Sequence, residues 1–345
     1  MSASTAGAPS LPIELWMFIW KMVEYELSTD DLLLLRRVNR MFCALATPSA
    51  FRSVVAINTW KSSCGLQELL RSPLARYIEE VTIRDALVDC NGDLRSPSTA
   101  DEQSRWHVLT HWSEIKSTPS YGFFVRENLV AAVAQLHKLP ALRAVRLTRN
   151  SPPPDYKSLT PEQRRREIEE PAKLYNKLLE TLSTHRPPHL LSLTLNNLVP
   201  LHPMENSPSF VNWDVDRQFC ELIAGVKDLH LGIHDGAYYT SDWRPEEYAS
   251  FWYKLSHTVL RHMQALTVLE VRVPKRLSSP IPALFLPEGT KKLPLLQDVL
   301  LEGIYFDSWG DIVGKLILPH WGILLKLQTA LGPANPVVFV RGDRS

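Results

Sequence analysis

Residues 142–147 read LRAVRL, and the spacing of the apolar side chains in this stretch recurs along the 345-residue chain. Side chains two residues apart in a strand lie on the same face, so Val145 and Leu147 share a face that excludes Arg146. The same spacing is found at 78–83, 190–195, 226–231, 266–271 and 296–301. The sequence therefore predicts six short strands, each with one apolar and one polar face.

Helical patterns lie between these strands. Apolar residues recur at helical spacing over 123–137 and 161–183, and further candidate helices are 217–224, 245–263 and 309–331. One strand and one helix per unit predict an α/β fold, in which the units stack into a solenoid with parallel strands on its concave face. A closing strand is predicted at Val337–Val340.

A doubly wound α/β domain also alternates strands with helices, and it is the alternative to the solenoid. Its strands are buried on both faces and read as continuous apolar runs. The strands of this chain instead carry polar or charged residues between their apolar ones, namely Thr82, Arg146, Thr194, His230 and Glu270. One exposed face per strand favours the solenoid.

The strand pattern resembles that of leucine-rich-repeat proteins, most closely at 139–150 (LPALRAVRLTRN), where Asn150 takes the closing position of the repeat. The other copies lack this Asn, and successive copies lie 30 to 64 residues apart. The family period is about 20 to 29 residues. The resemblance therefore implies irregular leucine-rich repeats with insertions, and a protein ligand for the repeat domain.

A second informative stretch, 11–54, reads LPIELWMFIWKMVEYELSTDDLLLLRRVNRMFCALATPSAFRSV. Pro12 suits a first helical turn, and Leu15 and Ile19 follow it at helical spacing. Ser28 and the acidic residues after it suit the start of a second helix. That helix is predicted to carry Leu32, Leu35, Val38, Phe42 and Leu45 on one face and to end at 47–49, around a proline. A third apolar element begins at Phe51.

This stretch resembles the F-box of fungal proteins. The residues that match are Leu11, Pro12, Glu14, Leu15, Ile19, Asp31, Leu32, Arg37, Val38, Asn39, Arg40, Phe42, Ala46, Pro48, Phe51 and Arg52. The resemblance implies a three-helix module that docks onto a Skp-type adaptor and, through it, onto a cullin and a RING protein. The residues that it assigns to adaptor binding are Leu11, Pro12, Leu15, Ile19, Leu35, Val38 and Phe42.

Together the two resemblances imply a substrate-recognition subunit of a Skp–cullin–F-box E3 ubiquitin ligase, which is not itself an enzyme. Two alternatives stay open: a repeat scaffold that acts outside a ubiquitin ligase, and an unrecognised α/β enzyme. A third interpretation makes the F-box-like residues no more than the core of a helical cap. The expected organisation is a disordered N-terminus at 1–10, the F-box at 11–54, a linker helix at 55–76, the repeat domain at 77–340 and a tail at 341–345.

The composition and the motifs argue against several other classes of protein. Lys and Arg (38) balance Asp and Glu (37), so the chain lacks the basic footprint of a nucleic-acid-binding protein. The first residues do not resemble a secretory signal and no apolar run is long enough to span a bilayer, which predicts a cytoplasmic or nuclear protein with no membrane partner. The sequence has no phosphate-binding loop, nucleophile elbow or spaced Cys/His set, so we expect no catalytic residue, no metal and no cofactor.

Substrate contacts are predicted on the polar faces of the strands and in an aromatic-rich insertion. Tyr and Trp carry much of the binding energy at protein interfaces, and the mixed chemistry of the strand positions favours a protein over a polyanion. The candidates are Arg146, Thr148, Thr194, Asn196, His230, Tyr238, Tyr239, Trp243, Glu270 and Arg272. His230, His234 and Asp235 surround a strand end, and we interpret them as a polar turn and not as metal ligands.

Overall fold

A computed structural model describes residues 12–84, 120–148, 170–200, 217–234, 262–272, 295, 297–302, 324–328 and 337–340. The helices are α1 (Ile13–Val23), α2 (Thr29–Leu35), α3 (Arg40–Ala50), α4 (Trp60–Arg71), α5 (Ser120–Val133), α6 (Glu170–Thr184) and α7 (Arg217–Ile223), with short 3-10 helices at Pro73–Tyr77 and Leu136–Lys138. The strands are β1 (Ser53–Ile57), β2 (Glu80–Arg84), β3 (Ala144–Thr148), β4 (Ser192–Pro200), β5 (Asp228–His234), β6 (Val268–Arg272), β7 (Asp298–Glu302), β8 (Leu324–Gln328) and β9 (Val337–Val340).

The nine strands form one mixed sheet in which every strand pairs with its neighbours in the sequence. Strands β1 to β8 are parallel, and β9 is antiparallel to β8. The six strands predicted from the apolar spacing and the closing strand are confirmed. A doubly wound sheet has a point at which the strand order reverses. The order of the described strands across the sheet follows the sequence without a reversal, which disfavours the doubly wound alternative.

Two strands were missed by the sequence analysis, and each departs from the repeated spacing at one position. In β1 the last apolar position is Ala56, which pairs in register with Ile83. In β8 the residue at the first apolar position is Gly322, although Leu325 and Leu327 pair in register with β7. The helix predicted over 309–331 is therefore wrong at β8. The helices predicted at 123–137, 161–183 and 217–224 are confirmed over α5, α6 and α7.

The apolar face of the sheet packs against a row of helices. Helix α4 contacts α5, α5 contacts α6, and α6 contacts α7, so each helix lies beside the helix of the next unit. The strand residues Val145, Leu147, Leu193 and Leu195 are at most 1% exposed and belong to the same buried cluster as Leu129 of α5. Burial of one strand face against helices explains why apolar and polar residues alternate in the strands.

The turn that precedes each strand repeats as regularly as the strand itself. The first apolar residue of the spacing is buried in the five predicted copies where it is described, at Ile78, Leu142, Leu190, Val226 and Leu266, and the equivalent Phe51 before β1 is partly buried. The carbonyl oxygen at the position after it accepts two backbone N–H groups of the next unit. For example, the Arg143 oxygen accepts from Leu191 at 2.7 Å and from Ser192 at 2.9 Å. Equivalent pairs of hydrogen bonds link each unit to the next one from β1 to β6.

Helices α1 to α3 form a separate unit, the helical cap, with its own small core. Trp20, Leu32, Ala46 and Ala50 are the buried apolar residues of that core. The predicted second helix is wrong in its extent, because Asn39 has extended backbone angles and its side chain accepts a hydrogen bond from Phe42 N at 2.9 Å. An Asn in this position starts a new helix, so α2 and α3 are two elements.

The predicted break at 47–49 is also wrong, since Pro48 lies inside α3. Proline removes one backbone donor from a helix, and it usually also forces the preceding residue out of the helical region. Thr47 nevertheless stays helical, and its hydroxyl donates to the Cys43 carbonyl at 2.6 Å. The Arg36 guanidinium donates to the same hydroxyl at 2.9 Å. These side-chain bonds hold the last turn of α3 in place.

The start of α2 provides a pH-dependent prediction. The Ser28 hydroxyl (2.5 Å) and backbone N–H (3.1 Å) donate to the Asp31 carboxylate, and these bonds hold the pKa of Asp31 below its ordinary value of 3.8. Such a carboxylate stabilises the fold above its unfolded-state pKa, and that contribution is lost as pH falls through the lower folded-state pKa. We expect Asp31→Ala to destabilise the cap at pH 7 but progressively less below pH 3.8, as measured by urea denaturation.

The neighbouring Asp30 provides the matched control, because it lies in the same first turn without bonding Ser28. Asp30→Ala is expected to shift the urea midpoint less than Asp31→Ala at pH 7. A difference between Asp31→Ala and wild type that stays constant from pH 7 to pH 3 would contradict the role of the carboxylate.

Candidate functional site

Helix α1 is apolar on two faces. On the inner face Trp20 is 8% exposed, and the ring of Trp16 meets the ring of Phe42 edge to face with centroids 5.4 Å apart. The outer face carries Leu15, Phe18, Ile19 and Met22, which are 47, 63, 38 and 65% exposed. Their spacing of three, four and seven residues puts them on one stripe of the helix, which we call the outer apolar stripe. Packing of the cap uses only the inner face.

The second helix of the cap adds to this exposed apolar surface. Leu33 is 38% exposed, Leu34 is 61% exposed, and Val38, in the turn after α2, is 62% exposed. Single exposed apolar side chains are ordinary on soluble proteins, but a stripe of four with three more on the next element is typical of a contact surface.

The predicted adaptor-binding residues divide into exposed and packed groups. Pro12, Leu15, Ile19 and Val38 are exposed. Leu35 packs against the cap core, and Phe42 is partly covered and contacts Trp16. Leu11 lies outside the described residues. The sequence did not separate these groups, because Leu35 and Val38 follow the same helical spacing and the chain turns between them.

Several exposed residues of the cap were not among the predicted adaptor-binding residues. Phe18, Met22 and Leu34 are each more than 60% exposed, as is Tyr25, just after α1. The signal in the sequence was that α1 has apolar residues nearly all around its circumference, more than one buried face requires.

The cap is joined to the sheet through Glu24 and Arg52. The Glu24 carboxylate accepts hydrogen bonds from Trp20 Nε1 (3.0 Å) and Ser49 Oγ (2.7 Å), which ties α1 to α3. Arg52, between α3 and β1, lies 3.9 Å from both Glu24 and Glu79. Its guanidinium also lies 5.6 Å from the centre of the Tyr25 ring. These contacts connect the base of α1 to the first strands of the sheet.

The predicted substrate-contact residues on the strands fall on two rows of the polar face of the sheet. Arg146, Thr194, His230 and Glu270 are consecutive partners in the register from β3 to β6. Thr148 and Asn196 are register partners two residues after Arg146 and Thr194. Arg272 lies two residues after Glu270 on β6. Tyr238, Tyr239 and Trp243 lie outside the described residues.

One ion pair and one contact between a histidine and a carboxylate lie on the polar face. Arg146 Nε is 2.6 Å from Glu80 Oε1, and its Nη2 donates to Glu80 Oε2 at 3.4 Å. His230 Nδ1 lies 2.6 Å from Glu270 Oε2. Thr194 lies between the two pairs, is 5% exposed, and has no hydrogen-bond partner for its hydroxyl among the described residues.

The described ranges contain no group of three or more His, Cys, Asp or Glu residues that could hold a metal ion. None of the helices within these ranges has both the length and the apolar character needed to cross a membrane. His230 lies on the polar face beside Glu270, and Asp235 falls outside the described ranges.

No protein-family model matches the chain, and no curated protein matches it.

Proposed function

We propose that the chain is a substrate-recognition subunit of a Skp–cullin–F-box ubiquitin ligase. The observation that carries the proposal is the outer apolar stripe of α1. A three-helix unit with its own core has no structural need for four large apolar side chains that are 38 to 65% exposed. A protein partner that covers the stripe would remove this apolar surface from water.

The division of α1 into two faces supports docking over the interpretation of the cap as core alone. Trp16 and Trp20 account for the packing of α1 inside the cap. Leu15 and Ile19, two residues of the F-box resemblance, lie on the other face. If these residues were only core, they would be covered by α2, α3 or the sheet.

The sheet and its row of helices are proposed to be an irregular leucine-rich-repeat solenoid that binds a protein substrate. The sequential strand order and the repeated turn before each strand support this part of the proposal. The subunit would act by proximity, because a substrate held near a charged conjugating enzyme reacts as if the step were intramolecular. No catalytic residue of the chain is needed in this mechanism.

Adaptor binding is the test of the proposal. Tagged full-length protein is expected to capture a purified Skp-type adaptor. Leu15→Ala combined with Ile19→Ala is expected to weaken that complex by at least about tenfold, since each buried aliphatic side chain contributes about 1.5–3 kcal/mol. Because both side chains are substantially exposed, the thermal midpoint of the free variant should stay close to that of wild type.

Val55→Ala is the matched control, because Val55 is 48% exposed but lies on β1 and not in the cap. It should capture the adaptor as well as wild type does. The proposal fails if the wild-type chain binds no adaptor, or if the double variant binds it equally well. In a second step purified cullin is added to the captured complex, and failure of the complex to bind it would instead favour a scaffold that acts outside a ligase.

A further inference from the structure

The turns that precede β3, β4 and β5 lie side by side along one edge of the sheet. Residues 134–143, 184–191 and 224–227 form these three turns, and none of them contains an Asp or a Glu. Their Lys and Arg residues make no ion pair with any described residue. The exposed basic residues of the turns, which we call the basic row, are Lys138, Arg143, Arg186 and Lys227 with His137, His185 and His189.

Contacts between neighbouring turns make the basic row continuous. The ring of His137 stacks on the ring of His185, with their centroids 5.7 Å apart. The guanidinium of Arg186 reaches the following turn, where a Cβ atom on Gly225 would lie 2.8 Å from its Nη2. The backbone hydrogen bonds that link successive units hold the three turns in register. The positive charges are therefore carried by one connected part of the surface.

The helix dipole accounts for only part of the basic row. A cation near the C-terminus of a helix interacts favourably with the last carbonyl groups, but this effect falls off within the last turn. Arg143 and Lys227 lie directly before β3 and β5, outside the helices, and both are exposed. Like charges that lie close together repel one another. The positions of these two residues are thus not explained by the stability of the fold.

The carboxylates near the basic row compensate little of its charge. Glu180 of α6 and Glu221 of α7 each pair with a basic residue of their own helix, at 3.0 and 2.8 Å. Asp228, the residue after Lys227, accepts a hydrogen bond from Thr267 Oγ1 at 3.2 Å. It can offset one of the four Lys and Arg charges, so the row keeps a net positive charge.

We propose that the basic row binds an extended, acidic segment of a partner protein. Arg143 and Lys227 stand two strands apart, and neighbouring strands are about 4.8 Å apart, so their backbones are separated by roughly 10 Å. An extended chain rises about 3.3 Å per residue, so carboxylates three residues apart in the segment span the same distance. The Arg186 turn lies between the two and would meet the middle of the segment.

The arrangement favours a carboxylate-rich protein segment over other anions. A single phosphate is bound best by donors that converge on it, whereas the basic row spreads its cations over three turns. Single-stranded nucleic acids stack their bases on aromatic side chains, and the three turns contain no Phe, Tyr or Trp. Surfaces that bind membranes also insert apolar side chains, and no large apolar residue is exposed in these turns.

Peptide binding to the full-length protein tests the proposal. A fluorescent peptide of alternating Glu and Ser is compared with one of alternating Gln and Ser by fluorescence anisotropy. The acidic peptide is expected to bind saturably, at least about tenfold more tightly than the neutral peptide, and to lose affinity as salt screens the charges. Oligothymidylate is measured in the same way, and vesicles of phosphatidylcholine and phosphatidylserine are measured by co-sedimentation.

Arg143→Gln combined with Lys227→Gln is expected to weaken binding of the acidic peptide at least about threefold, as the loss of two exposed ion pairs would give. Lys177→Gln combined with Arg217→Gln is the matched control. It changes the net charge of the chain by the same amount, but it lies on α6 and α7 outside the three turns. The control should bind the peptide as wild type does.

Three outcomes would overturn the proposal. They are failure of the wild-type chain to bind the acidic peptide, an equal loss of affinity in the two double variants, and tighter binding of the oligonucleotide or the vesicles than of the acidic peptide. Adaptor capture depends on the outer apolar stripe and is a separate assay, so failure here leaves the proposed function standing.

Discussion

Replacement of Trp20 by Ala is expected to unfold the helical cap and leave the sheet folded. Trp20 is the only large ring among the four buried residues of the cap core. Truncation of a buried aromatic residue costs about 3–5 kcal/mol, which is also about what a core of this size contributes in total. The change also removes the Trp20 donor of the Glu24 carboxylate, so the tie between α1 and α3 is weakened.

Hydrogen exchange measured by mass spectrometry would check this result segment by segment. Peptides from α1 to α3 should lose protection in the Trp20→Ala variant, and peptides from β2 to β5 should retain it. Met22→Ala is the control in the same helix, since Met22 is 65% exposed and should change protection little. Loss of protection throughout the chain would mean that the cap and the sheet unfold as one unit.

Tyr175→Ala is expected to destabilise the sheet domain by about 3–5 kcal/mol. Tyr175 of α6 is fully buried, and its hydroxyl donates to the carbonyl oxygen of Thr148 at 3.0 Å. The side chain therefore fills the core and also ties α6 to the end of β3. Tyr175→Phe keeps the ring and loses only the hydrogen bond, which should cost about 1–2 kcal/mol.

Urea denaturation of the two variants separates packing from hydrogen bonding. Lys177→Ala, in the same helix, is the control, because the Lys177 side chain is 41% exposed and makes only a surface ion pair with Glu180 in the described chain. It should change the free energy of unfolding by less than about 0.5 kcal/mol. If Tyr175→Phe were as destabilising as Tyr175→Ala, the hydrogen bond and not the ring would be the main contribution.

The sheet could be predicted from the sequence because its signal is repeated. A residue such as Leu147 alone is consistent with a helix or a strand, but six copies of one spacing fix both the strand and its buried face. The strands β1 and β8 were not predicted because each lacks one apolar residue of this repeated spacing. Ala56 and Gly322 have too little apolar surface to complete the spacing, although the register places β1 and β8 in the sheet.

The cap was predicted less well because its helices are short and depend on local capping. Asn39 starts α3, although the helical spacing of the apolar residues continues across this break from α2. The sequence also could not show which apolar residues of α1 are exposed, for a related reason. Leu15 and Trp16 are adjacent apolar residues, and only the packing of α1 against Phe42 decides which of them faces inward.

The sequential order of the strands has a consequence for how the chain loses structure. Among the described residues, each strand from β2 to β8 is hydrogen-bonded only to the strand before it and the strand after it, so the sheet is open and not closed into a barrel. The stability of such a linear array is a sum of terms for each unit and for each junction between neighbours. Under a pulling force, units are expected to detach one at a time from an end of the array, and each pause should correspond to one junction between neighbouring units.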